Sequence, residues 1–168
     1  KDSEAFSSKL AGMADAIGVT GGWHEAPVPQ ITYQVPRGFY SCLSSCIKEH
    51  SGLPVICYNR INDRETAERI LEEEKADLVA CGRPFLADAG FAAKIRDGHP
   101  YHPCVGCNRG CMDRIIQNQE VRCIQNPELG SEYQKLSSLP AREGRVLVIG
   151  GGVAGLAAAK CLGNRGYK

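Results

Sequence analysis

Two short apolar runs, Pro54-Val-Ile-Cys-Tyr58 and Asp77-Leu-Val-Ala-Cys81, decide how this chain folds. Each has the length and β-branched content of a buried strand. Between them, Asn62-Asp-Arg-Glu65 has the form of a capping box, an Asn with a Glu three residues later. Ala67, Ile70 and Leu71 then repeat at helical spacing. The unit is strand, loop, helix, strand.

The same alternation extends both ways. Upstream, Phe6, Leu10 and Met13 mark one face of a helix running to about Ala14. Ala16-Ile-Gly-Val19 reads as a strand, and Thr20-Gly-Gly-Trp-His-Glu25 as its exit loop. Pro27, Pro29 and Pro36 keep the next segment irregular, and a helix covers Phe39 to about Glu49. Downstream, Gly82, Arg83 and Pro84 form an exit loop. Asp88 caps a short helix with Phe91, Ala92 and Ile95 inward, and Gly98 ends it. Strands alternating with helices mean a parallel sheet, doubly wound or closed into a barrel. Three strands do not close a barrel, so this reading places at least half of one upstream.

Composition bounds the rest. The 168 residues are 43% hydrophobic and 23% charged, with a formal net charge of +1. Such a balance offers nothing particular to nucleic acid or an anionic membrane. No apolar run reaches the roughly 18 residues of a membrane helix. Nine cysteines without a secretory signal point to a reducing compartment, hence the cytoplasm. The chain opens without Met inside a helical pattern and stops at Lys168 inside a βαβ pattern. It reads as a fragment whose N- and C-terminal parts lie elsewhere in one polypeptide.

Residues 99–140 lack clean periodicity and hold Cys104-Val-Gly-Cys107-Asn-Arg-Gly-Cys111, closed by Cys123. A helix-like piece runs from Met112 to Asn118. C-x2-C-x3-C-x11-C can bring four soft thiolates to one centre, which suits zinc or an iron–sulfur cluster. The start is not the paired C-x2-C of zinc modules, which favours iron–sulfur. Cys42, Cys46, Cys57, Cys81 and Cys161 read as small buried apolar residues.

Arg145-Val-Leu-Val-Ile149 is a further apolar strand, and Leu156 to Leu162 looks helical. Gly150-x-Gly152-x-x-Gly155 lies at their junction, the context that a dinucleotide fingerprint requires. The first two glycines let the backbone approach a pyrophosphate, and the third lets helix and strand pack closely.

Arg60 and Arg83 each follow the end of a strand, and those strands are consecutive. In (β/α)8 barrels, the loops after the last two strands commonly hold a phosphate. Gly82 leaves the backbone free to donate, and a guanidinium clamps with a planar fork. Surface arginines lying over the sheet are the plainer reading. His24 sits in a Gly-rich strand-end loop beside Trp23 and Glu25, where barrel active sites gather.

Gly22-Trp-His-Glu-Ala26, Val35-Pro-Arg-Gly38, Asn59-Arg-Ile-Asn62, Arg83-Pro-Phe-Leu-Ala-Asp88 and the four-cysteine spacing together resemble the 2,4-dienoyl-CoA reductase and enoate reductase branch of the old yellow enzyme family. The resemblance covers almost the whole chain. It implies an α/β architecture in three parts. Residues 1–98 would be the C-terminal part of an FMN-binding (β/α)8 TIM barrel, and 99–140 an iron–sulfur segment and linker. Residues 141–168 would be the first βα unit of a Rossmann-like FAD domain. Arg60, Gly82 and Arg83 would bind FMN, and His24 would be the catalytic histidine. Cys104, Cys107, Cys111 and Cys123 would hold a 4Fe-4S cluster, and Gly150, Gly152 and Gly155 the FAD pyrophosphate.

The implied activity is NAD(P)H-dependent reduction of an activated C=C bond. Electrons would pass from FAD through the cluster to FMN, and His24 would stabilise the enolate oxygen. The family's tyrosine proton donor would lie upstream. Pro27 stands where dienoyl-CoA reductases have Arg, so a free enoate or a steroid or bile-acid enone is as open as a CoA thioester. Trimethylamine dehydrogenases resemble this architecture but show C-x2-C-x2-C-x12-C. A non-catalytic zinc linker is the alternative from another class.

Overall fold

The computed structural model describes residues 1–22, 31–132 and 143–168. His24, its neighbours Trp23 and Glu25, and the prolines at 27, 29 and 140 lie outside the described residues. The chain forms two compact units, Lys1–Leu129 and Gly130–Lys168.

In the first unit, α1 (Asp2–Ser7) precedes strand β1 (Ile17–Val19). Helix α2 (Ser41–Ser51) leads to β2 (Val55–Cys57), and α3 (Arg64–Glu72) to β3 (Leu78–Val79). The strands are parallel and neighbour one another in chain order, β1-β2-β3. Ile17 pairs with Val55, and Ile56 with Leu78. Each step along the sheet is therefore one right-sized βα crossover in the same direction, as in a barrel wall, with no reversal of strand order. Val55, Cys57, Ile47, Ile61, Ile70 and Ala76 form the buried core, with Ile17, Val19, Ala67, Val79 and Cys81 packed against it. The α2 and α3 faces thus cover one side of the sheet.

Several boundaries differ from the sequence reading. α1 stops at Ser7, and of its expected apolar face Phe6 and Met13 are exposed while Leu10 is half-buried. Asp63, not Asn62, caps α3, its Oδ1 accepting the Thr66 N–H at 2.8 Å. Leu71, expected inward, is exposed. Gly82-Arg83-Pro84 is not wholly loop, since α4 (Arg83–Ala87) begins at Arg83 with proline in its first turn. Asp88 does not cap α5 (Phe91–Arg96) from the N-cap site, which Gly90 occupies. Asp88 instead accepts from the Gly90 and His102 amides and from Lys94, tying the helix start to the following segment. Phe91 is buried between Phe85 and Tyr101, edge to face with both, while Ala92 is exposed. Helix α6 (Met112–Ile116) follows Cys111 directly. Cys57 is buried as expected, but Cys42 and Cys161 are exposed.

In the second unit, residues 145–149 carry no strand ladder. Only two backbone bonds of the slanted parallel kind join this segment to Lys168: Lys168 N–H to Gly144 O and Val146 N–H to Lys168 O. Gly152 then caps α7 (Val153–Asn164). No helix among the described residues is long and apolar enough to cross a membrane.

Candidate functional site: two arginines and four cysteines at the strand ends

The loop after β2 places Asn59 and Arg60 in the left-handed region, φ 72° and 57°. Two consecutive non-glycine residues there are strained and must be held from outside. Asn59 donates from Nδ2 to Thr20 Oγ1 and Gly21 O, which ties this loop to the exit of β1. Arg60 is 5% exposed. Its Nε donates to Val35 O at 2.7 Å and its carbonyl accepts from Gly38. Its Nη1 is buried without a hydrogen-bond partner among the described residues.

Arg83 rises from the first turn of α4, after β3. Its Nη1 donates to Ile31 O at 2.6 Å and to Asn108 Oδ1 at 2.7 Å. The two guanidiniums feel each other: burial lowers the Arg60 pKa, and repulsion from Arg83 and Arg37 lowers it further. Two cations held at the ends of adjacent strands make this rim positively charged, the chemistry that can receive an oxyanion. Among the described residues, a Cβ at Gly82 would meet no atom within 4 Å, so there is open space beside this turn.

The cysteine segment lies directly against these arginines. Cys104, Cys107, Cys111 and Cys123 all line one pocket, with Arg83 and Leu86 on its barrel side. Cys123 arrives there because the Arg122 N–H donates to Gly110 O at 2.5 Å, folding the eleven-residue excursion back on the knuckle. The other tethers are asparagines. Asn62 Nδ2 donates to Cys104 O at 3.1 Å, and Asn126 Nδ2 to Leu86 O at 3.0 Å. Asn108, at φ 60°, accepts from Arg83. Burial raises the Cys111 thiol pKa; Arg83 offsets part of this, while Cys104 and Cys107 add to it.

The four thiols are arranged around the pocket wall and do not meet at a point. Among the described residues, no three of His, Cys, Asp and Glu stand close enough to share one metal ion. A tetrahedral zinc site needs sulfurs about 2.3 Å from the ion, hence about 3.8 Å from one another.

Apart from His24, which lies outside the described residues, the candidate residues fall in two places. Arg60, Arg83 and the four cysteines share one region, with Gly82 at its edge. Gly150, Gly152 and Gly155 belong to the other unit. There, Gly150 has φ 111°, and a Cβ on Gly155 would stand 1.9 Å from Gly150 O. The turn therefore has the close packing that the fingerprint spacing implies. The asparagine tethers were not legible in sequence. Asn62 is masked by its likeness to a helix cap, and Asn126 carries no local signal.

Residues 8–102 match the model of the NADH:flavin oxidoreductase / NADH oxidase family. The chain belongs to this family. The match takes in both arginines and ends just before Cys104. A metal reductase of Desulforamulus reducens is 45% identical over 92% of this chain and 23% of its own length. A bilirubin reductase of Mediterraneibacter gnavus is 36% identical over 79% of this chain and 21% of its own. The solved 2-naphthoyl-CoA reductase, in complex with 2-naphthoyl-CoA, superposes with a TM-score of 0.86 at 27% identity. It is covered to 26% by 98% of this chain. The three-stranded parallel sheet is thus α/β structure of the flavin-oxidoreductase TIM-barrel kind. The chain spans about a quarter of the length of the relatives it matches.

Proposed function

We propose that this chain is the core segment of an NAD(P)H-dependent ene-reductase. Residues 1–98 supply the last part of an FMN barrel, 99–140 the cluster segment, and 141–168 the start of an FAD domain. The observation that carries the reading is the pocket lined by all four cysteines and Arg83, with the buried Arg60 against the same knuckle at Gly106. Four cysteines around one pocket, no three of which stand close enough to share one ion, suit a four-iron four-sulfur cluster better than a single zinc.

Bound in these sites, FAD, the cluster and FMN would supply the electron path from NAD(P)H to an activated C=C bond. The chain's own residues have simpler tasks. Arg60 adds its buried positive charge, and Arg83 the rest of its fork, to the site of the FMN phosphate, with Gly82 beside them. Cys104, Cys107, Cys111 and Cys123 hold the cluster as thiolates. His24 donates a hydrogen bond to the substrate carbonyl, favouring the charge that develops on that oxygen. Gly150 and Gly152 bring backbone N–H groups and the α7 N-terminus to the FAD pyrophosphate, and Gly155 keeps the helix close.

The test is the metal and flavin content of the polypeptide that carries these residues, purified without oxygen. About four iron and four sulfide per chain, with FMN and FAD, are expected. One zinc and no sulfide would refute it and favour a zinc linker. The 45% identity to a metal reductase supports a second reading, in which a soluble metal ion is the electron acceptor. NAD(P)H oxidation driven by ferric citrate, but by no enone or enoate, would favour it.

A further inference from the structure

Asn62 is 2% exposed, and its own helix does not use its side chain, because Asp63 caps α3. Its Nδ2 donates instead to the carbonyl of Cys104, forty-two residues along the chain. A buried primary amide is costly unless its polar atoms are paired, so this position demands a carbonyl at a fixed place. The carbonyl belongs to the first of the four pocket cysteines.

Two residues earlier, the buried Arg60 lies against the same knuckle. A Cβ on Gly106 would come within 2.4 Å of Arg60 Nη1. The loop after β2 therefore meets the Cys104–Cys107 turn at two points, one polar and one steric. Fixing the Cys104 backbone fixes its Cα–Cβ bond and so narrows where Sγ can reach.

We propose that Asn62 is a positioning residue for the cysteine-held centre: its amide locks Cys104 to the barrel rim, making the knuckle and Arg60 one preorganised unit. The inference rests on the reading of the pocket as an iron–sulfur site. Groups that orient a metal's ligands from behind typically cost roughly ten- to a hundredfold in affinity when removed.

The test uses the same oxygen-free polypeptide with Asn62→Leu, Asn62→Asp and Asn62→Gln. Leu keeps the volume without a donor, Asp turns an acceptor toward the Cys104 carbonyl, and Gln keeps an amide donor. The readouts are iron and sulfide per chain, iron lost to a ferrous chelator, the electron paramagnetic resonance spectrum of the reduced protein, and FMN per chain. Leu and Asp are expected to hold iron at least about tenfold less well against the chelator. Their spectra should be altered while FMN and circular dichroism are retained, and Gln should recover part of the loss. Leu and Asp variants with parental iron retention and spectra would overturn the proposal and leave the cluster reading standing. Loss of iron, FMN and fold together in both would also overturn it, as a purely structural role. A parent without iron and sulfide would overturn the cluster reading itself, and this inference with it.

Discussion

Replacing Gly106 with alanine tests how tightly the cysteine knuckle and the Arg60 site are joined. Gly106 has φ 72°, a conformation that costs an L-residue about 1–2 kcal/mol. The added Cβ would stand 2.4 Å from Arg60 Nη1, where ordinary contact begins at 3.4 Å. The guanidinium must therefore withdraw by about 1 Å, and interiors this dense give no room for that without loss elsewhere. Arg60 is held by its Nε bond to Val35 O at 2.7 Å, which such a shift stretches past hydrogen-bonding range. A lost hydrogen bond to a charged group costs about 1.5–3 kcal/mol, so the whole substitution should cost about 2.5–5 kcal/mol. Urea unfolding of the Gly106→Ala polypeptide, alone and combined with Arg60→Ala, separates the two parts. With Arg60 truncated, only the backbone cost of about 1–2 kcal/mol should remain. Equal costs in both backgrounds would refute the steric link between knuckle and arginine.

Other outcomes follow from the same geometry. Serine at Cys104, Cys107, Cys111 or Cys123 should each lower iron per chain, whereas serine at the exposed Cys42 or Cys161 should leave it unchanged, as measured by iron analysis. Asp63→Ala removes the α3 cap and the partner of Arg37, and should cost about 1–2 kcal/mol by urea unfolding. Burial pushes the Asp63 carboxyl up, but bonds from Thr66 and the charge and bond of Arg37 outweigh it, and its pKa lies below the ordinary 3.8. Its contribution to stability is therefore complete above pH 3.8 and lost as the pH falls through the lower folded value, so the parent's extra stability over Asp63→Ala should shrink in that acid window. Gly155→Ala places a Cβ 1.9 Å from Gly150 O and should open the strand-to-helix turn. FAD per chain should drop severalfold while iron is kept, read from flavin and iron analysis.

Local chemistry made much of this protein readable without coordinates. The repeat of strand, loop and helix depends on apolar spacing and turn residues, which are local properties, and β2, α3 and β3 formed where that spacing put them. The register of four cysteines is equally local, since short spacings confine where thiols can go. Element ends were less legible. α1 ended early, and Asp63 displaced Asn62 as the cap, because a neighbour's presence or absence decides such contests.

Only the tertiary structure decided which distant groups meet. Asn62 reaches Cys104, Asn126 reaches Leu86 and Arg83 reaches Asn108, across separations with no sequence period. Arg60 and Arg83 were adjacent only by inference until the parallel sheet set β2 beside β3. The sequence alone determined the elements and the ligand types, because those follow from each residue and its near neighbours. Where the thiols, cations and amides come to rest was decided by packing, which depends on the whole chain at once.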